Sequence, residues 1–322
     1  IGGITGNRTT LIIVPILAAA GLYVQKTSTR SITSPAGTSD TMEVLAPVGL
    51  SMQQIKHIVE KTHGCMVWGG TLDLASADDK LIKIEKPLNL DPQGILLASI
   101  MAKKVSVGAT HVLIDIPLGP EAKIKDRLKA VDLKKKFIQL SKKLKIKVKV
   151  IITDGIQPIG RGIGPALEAR DVMMVLQNRG PKDLRNKSLM MAAELMKMTG
   201  IKNAYQKAEE ILTSGKAERK MREIIKAQGG NANIHPDEIT IGPYHHEIYT
   251  NKAGTIKNVS NNQISRIAKI AGAPNDKGAG IYLNVKLNDK VQKGDLLLTI
   301  YAENKDKLKN AIEIIEELVK VR

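Results

Sequence analysis

The longest apolar stretch of the chain runs from Leu11 to Val24, with Pro15 and Gly21 inside it. It has about two-thirds of the length a bilayer requires, and no charged segment or cleavage pattern of a signal peptide accompanies it. Because it is apolar on every side, a helix buried on every side is predicted. Beyond it the pattern becomes periodic. Ser51-x-x-Gln54 is a capping box, and Ile55, Ile58 and Val59 follow at helical spacing. Cys65 to Trp68 reads as a short strand closed by Gly69-Gly70, and Leu74 to Asp79 as a turn. Gly94 to Lys104 reads as a helix on which Ser99 and Lys103, four apart, share a face.

Element types then alternate. His111–Pro117 is a β-rich run, Asp126–Lys145 a long amphipathic helix and Val148–Thr153 a second β run. A glycine-rich segment, Gly155–Pro165, leads into a helix over Ala166–Gln177. Strand–helix alternation with glycine turns predicts a parallel α/β sheet whose ligands bind at the carboxyl ends of its strands. Helices are predicted at Lys187–Thr199, Asn203–Thr213 and Ala217–Ala227, stopped by Gly200, Gly215 and Gly229-Gly230. After Gly230 the texture changes to short β stretches around Ile239, Ile248, Ile256, Ile281–Val285 and Leu296–Tyr301. Helices at Asn262–Ala271 and Lys305–Val319 accompany them, so a separate α+β domain is predicted from about residue 231.

Composition narrows the class. With 322 residues and 43% hydrophobic content the chain can bury a substantial core, built from aliphatic side chains because aromatics make up only 2%. One cysteine, Cys65, excludes an intramolecular disulfide and fits a reducing compartment, where it reads as a buried thiol. Together these features predict a soluble, cytoplasmic protein with no membrane contact. A net charge of +17 invites a nucleic-acid reading. The lysines, however, are spread along amphipathic helices such as Lys123–Lys145, and six Tyr, one Trp and one Phe offer few stacking platforms. A solvated basic surface that attracts small anions is the expectation, and nucleic acid is not an expected partner.

The candidate chemistry lies in Ser28–Asp40. Seven hydroxyls, Ala36 and Gly37, one guanidinium and one carboxylate fall within this stretch. Short hydroxyls and a closely approaching backbone surround an oxyanion without filling its space. Upstream, the glycines of Ile1-Gly-Gly-Ile-Thr-Gly6 feed the N-terminus of the apolar helix, a second place where backbone can approach an anion. His111 opens a strand and reads as a capping or packing residue, and His245-His246 lack partner ligands for a metal.

With these pieces in place the chain resembles the nucleoside phosphorylase family that includes the thymidine and pyrimidine nucleoside phosphorylases, above all its archaeal, AMP-cleaving branch. Ser28-x-Arg30, Gly37-Thr38-x-Asp40 and Glu43 match the family signature. Trp68-Gly-Gly, Ala98–Lys104, Gln157–Gly160, Gly164–Arg170 and Ala271–Gly280 match in family order, so the resemblance spans essentially the whole chain. It implies a mainly parallel sheet flanked by helices, of nucleoside phosphorylase/phosphoribosyltransferase type, over residues 1–230, followed by a smaller α+β domain over 231–322. Residues 76–106 would be a remnant of the helical base-binding domain.

The resemblance also implies phosphorolysis: AMP, or CMP or UMP, and inorganic phosphate would give free base and ribose 1,5-bisphosphate in nucleotide salvage. Nucleoside cleavage, and a non-catalytic nucleic-acid-binding protein on the same fold, are the alternatives. Residue by residue, Gly2, Gly3, Thr10, Ser28 and Thr38 would hold the phosphate, and Arg30 and Asp40 would orient the substrate. Ser99 and Lys103 would face the base, Lys103 stabilising its negative charge as it leaves. No cofactor or metal is implied, save that the segment holding Glu168 resembles one that binds a monovalent cation in some bacterial members. Capping by Glu168 is the alternative.

Three departures qualify this. The family's His-Ser pair would precede Ile1, and its N-terminal helices are not in this sequence, which implies part of a longer, homo-oligomeric protein and little activity for the part alone. Ile84 stands where thymidine phosphorylases place an arginine against the pyrimidine. Gly119-Pro-Glu121 replaces a glycine-richer interdomain loop.

Overall fold

The computed structural model describes residues 4–31, 34–71, 93–315 and 319–321. The predicted Leu74–Asp79 turn, Ile84, Gly2 and Gly3 lie outside them, as does the side chain of Ser99. The apolar run divides in two. Helix α1 covers Thr9–Ala19, and Val24 already belongs to strand β1, Val24–Ser28. The reversal falls at Gly21, whose φ of +86° suits glycine, with Leu22 N–H returning to the Leu17 carbonyl at 3.0 Å. A single helix to Val24 was the expectation; the left-handed turn ends it early. Leu11, Ile12 and Ile16 are wholly buried, each burial contributing about 1.5–3 kcal/mol.

The short helix α2, Thr38–Glu43, is followed by α3, Met52–Thr62, and β2, Gly64–Trp68. The capping box at Ser51 forms as read: Gln54 N–H donates to Ser51 Oγ, and Ser51 N–H donates to Gln54 Oε1. β1 and β2 pair in parallel, Ser28 opposite Trp68. Helix α4, Gln93–Val105, leads to β3, His111–Leu118; then come α5, Arg127–Lys143, and β4, Lys147–Asp154. β3 and β4 form the second parallel pair, His111 opposite Lys147 through Leu118 opposite Asp154. The predicted parallel strands are thus present as two separate pairs. Phe137, with no exposure, anchors the core between α5 and this second pair.

A two-residue strand, β5 at Gly162–Ile163, precedes α6, Pro165–Leu176. Helices α7, Lys182–Met198, α8, Ala204–Thr213, and α9, Lys216–Ala227, then wrap α1. The predicted β stretch at Ile239 is instead the end of a single 3-10 turn over Pro236–Glu238, because Pro236 presets a helical φ at its first position. Strands β6, Tyr244–Tyr249, β7, Gly254–Val259, and β8, Gly280–Leu283, follow, with helix α10, Asn261–Ile270, between β7 and β8. β9, Lys290–Val291, β10, Leu296–Ala302, and helix α11, Lys305–Glu313, complete the order with β11, Val319–Val321. Val319 was expected in the last helix; it pairs with Val259 in a strand instead, burying its side chain.

One sheet runs β5-β8-β10-β6 and another β11-β7-β9. The glycine segment of the first part thereby supplies an edge strand to the sheet of the second, and Ile163 sits in the second part's core.

Candidate active site

Because α1 and β1 are joined by a tight reversal, Ser28 at the carboxyl end of β1 returns toward the start of α1, where Thr10 lies. Ser28 Oγ lies 2.8 Å from Ser39 Oγ and 3.3 Å from the Val67 carbonyl, fastening the strand end to the first turn of α2. Thr38 opens α2 and, like Thr10, is half-buried; neither hydroxyl is hydrogen-bonded among the described residues. The fold therefore fastens Ser28 to the first turn of α2, where Thr38 lies, and ties the residue ahead of α1, Arg8, to the same segment through Ala36 and Thr41.

Arg30 and Asp40 are engaged within the loop itself. Asp40 Oδ2 accepts the N–H groups of Ser31 at 2.7 Å and Gly37 at 2.8 Å. Arg30 meets Glu43 with both guanidinium nitrogens, Nη1 at 2.6 Å from Oε2, and its Cζ lies 4.9 Å from the Trp68 ring centroid. Their hydrogen bonds define the loop's shape.

Three amines lie within electrostatic reach of one another. Lys26, two residues before Ser28, donates to the Thr27 carbonyl at 2.8 Å. Its amine is held well below the usual lysine range, first by burial and then by the charges of Lys104 and Lys103 on α4. Burial and Lys103 lower Lys104 in turn. The helix bearing Lys103 and Lys104 therefore lies within electrostatic reach of Lys26 on β1.

Residues outside the expected set hold the site together. Arg8, just ahead of α1, contacts Glu168 on α6 and donates to the Ala36 carbonyl. Thr41 Oγ1 lies 3.1 Å from the Gly37 carbonyl and 3.2 Å from Glu168 Oε2. Burial pushes the Glu168 carboxyl up, to about 7, against the pull of Arg8, the Gly164 N–H and Thr41. Lys277, in the loop before β8, reaches Glu43. Glu121, in the Gly119-Pro-Glu121 loop, accepts from Ser260 Oγ and from Asn262 N–H at 2.8 Å, capping α10. Glycine is required at Gly6, where φ is +68° and a Cβ would collide with the Ile159 carbonyl.

The architecture is that of the phosphoribosyltransferase-like α/β proteins. Anthranilate phosphoribosyltransferase from Thermus thermophilus superposes with a TM-score of 0.54 at 14% identity, covering 70% of this chain and 74% of that one. The Saccharomyces cerevisiae enzyme in complex with PRPP and Mg gives 0.50 at 17%, covering 70% of each. The family profile described as glycosyl transferase family, a/b domain, matches residues 2–115, and that of the pyrimidine nucleoside phosphorylase C-terminal domain matches 255–322. AMP phosphorylase of Methanocaldococcus jannaschii is 49% identical over 100% of this chain and 65% of its own length. AMP phosphorylase 1 of Archaeoglobus fulgidus is 50% identical, over 98% of this chain and 63% of its own. The chain thus matches a glycosyl transferase profile in its first part and a pyrimidine nucleoside phosphorylase profile in its last, and along essentially its whole length it is similar to archaeal AMP phosphorylases. It spans 65% and 63% of the length of these two relatives. No helix of the described residues is long and apolar enough to cross a membrane.

Proposed function

We propose that the protein carries out phosphorolysis of AMP, releasing adenine and ribose 1,5-bisphosphate. The observation that carries this reading is that Ser28, two residues after Lys26, is fastened to the first turn of α2, where Thr38 lies, while the Lys26 amine feels the charges of Lys104 and Lys103. Phosphate is already a competent nucleophile, so the protein needs to hold it, hold the sugar and stabilise the departing base. A phosphate oxygen attacks C1′ as the C1′–N bond breaks, through an oxocarbenium-like state of the kind met in glycoside cleavage. The bond's electron pair leaves with the base. In this reading the hydroxyls of Ser28, Thr38 and Thr10 donate to phosphate, with Gly2 and Gly3 approaching it through their backbone. Arg30 and Asp40 orient substrate by fixing the loop. Lys103 stabilises the base's negative charge, with Ser99 on the same helix face. We place the division between catalytic core and C-terminal domain near residue 231, and read the protein as cytoplasmic and homo-oligomeric.

The test is adenine release from AMP by the full-length protein, with and without phosphate. Phosphate-dependent release together with ribose 1,5-bisphosphate supports the reading, and equal rates on adenosine shift it to nucleoside cleavage. No phosphorolysis of any nucleotide or nucleoside removes it.

A further inference from the structure

The oxygens around Arg8 have the composition of a cation site. Glu168 Oε2, the carbonyls of Asn7 and Ala36 and the Thr41 hydroxyl face one point between the start of α1, the hydroxyl loop and α6. A carboxylate, carbonyls and a hydroxyl are the donors with which proteins hold a hard cation. In this chain a guanidinium fills that point. Arg8 Nε contacts Glu168 and lies 3.1 Å from Thr41 Oγ1, Nη1 donates to the Asn7 carbonyl at 3.1 Å, and Nη2 donates to the Ala36 carbonyl. Arg8 is 8% exposed and Glu168 1%.

The family's monovalent cation therefore does not fit beside Glu168. Potassium or sodium could take these oxygens only by displacing Arg8, which would leave a buried guanidinium without its carboxylate. Breaking a buried pair in that way is strongly destabilising, because the remaining charge is left without compensation. The fork also does what a spherical ion cannot: it binds both the Ala36–Thr41 segment and Glu168 on α6 in fixed directions. Ala36 immediately precedes Gly37 and Thr38, so the Arg8–Ala36 bond sets where the loop begins its turn into α2.

We propose that Arg8 replaces the monovalent cation: a tethered positive charge that fixes the hydroxyl loop onto α6, so that neither the loop's geometry nor its phosphate affinity depends on potassium or sodium. Arg8 is a positioning residue, acting through the Ala36 carbonyl and Thr41. The kinetic part of the proposal rests on the phosphorolysis reading, whereas the melting part is independent of it.

Thermal melting of the full-length protein in potassium, sodium and tetramethylammonium chloride at equal ionic strength tests the replacement. The three curves should coincide. A saturable rise specific to potassium or sodium overturns the proposal, whether or not the protein cleaves AMP. The positioning role is read in two variants. Arg8→Lys keeps the charge but loses the fork, and should show a higher phosphate KM with cation independence retained. The double variant Arg8→Met/Glu168→Gln leaves no unpaired buried charge and so keeps the fold. Its KM for phosphate should rise at least about tenfold, with kcat changed less. A folded double variant with the parent's phosphate KM overturns the positioning role.

Discussion

Lys277 Nζ lies 2.8 Å from Glu43 Oε2 and 3.8 Å from Asp40 Oδ1. Arg30 closes the other side of Glu43. One carboxylate thus ties the loop ahead of β8 to the hydroxyl loop, and the C-terminal part of the chain helps shape that loop.

This junction should show in acid. Hydrogen bonds from Arg30 and then Lys277 hold the Glu43 carboxyl down, to about 2, against an ordinary value of 4.5. A depressed carboxyl contributes stability above its unfolded pKa and loses it as pH falls through the folded one. Between about pH 4.5 and 2, the parent should therefore lose more stability than Glu43→Gln, as followed by melting temperature at each pH.

Lys26 should exchange stability for anion binding. Burial and two neighbouring cations disfavour its charge, and an arriving phosphate reverses the second effect. Lys26→Met should raise the melting temperature and weaken AMP binding about tenfold or more, the order of a lost charge-assisted contact. In the parent, phosphate binding should favour the charged form of Lys26 and so take up protons over the pH range in which the free amine titrates, seen as a dependence of binding enthalpy on the buffer's ionisation enthalpy. No proton uptake would count against Lys26 as an anion ligand.

The hydroxyls should be separable by kinetics. Thr38→Val removes an uncommitted hydroxyl and should raise the phosphate KM about tenfold while leaving the melting temperature unchanged. Ser28→Ala also breaks the contact with Ser39, so it should do both: raise KM and lower the melting temperature.

Two core residues have defined behaviour. Phe137→Ala empties the centre of the β3–β4 core and should cost about 3–5 kcal/mol in denaturant unfolding. Burial pushes the Cys65 thiol up, to about 12. Iodoacetamide should leave it unmodified at neutral pH until the protein unfolds, as checked by intact mass.

Much of the architecture was legible along the chain. Heptad-scale periodicity, the Ser51–Gln54 box and glycine stops place α3 and the helices from α5 to α10 to within a few residues, apart from an earlier start for α7, because such signals act over one or two helical turns. The hydroxyl loop was equally plain, since its composition alone suits an oxyanion. What escaped is what joins distant segments. Nothing in the local pattern marks Arg8, or Lys277 within the Ala271–Gly280 stretch, as an ion-pairing residue, and Gly162–Ile163 lies inside a glycine-rich segment. Their partners Glu168, Glu43 and Tyr282–Ile281 are far along the chain. No local pattern encodes such pairings; only folding brings these charges and strand edges to the distances at which they act. Sequence by itself determined most of the helices and the glycine stops that end them, while the tertiary structure decided which distant charges and strand edges meet, because those contacts depend on folding rather than on neighbours along the chain.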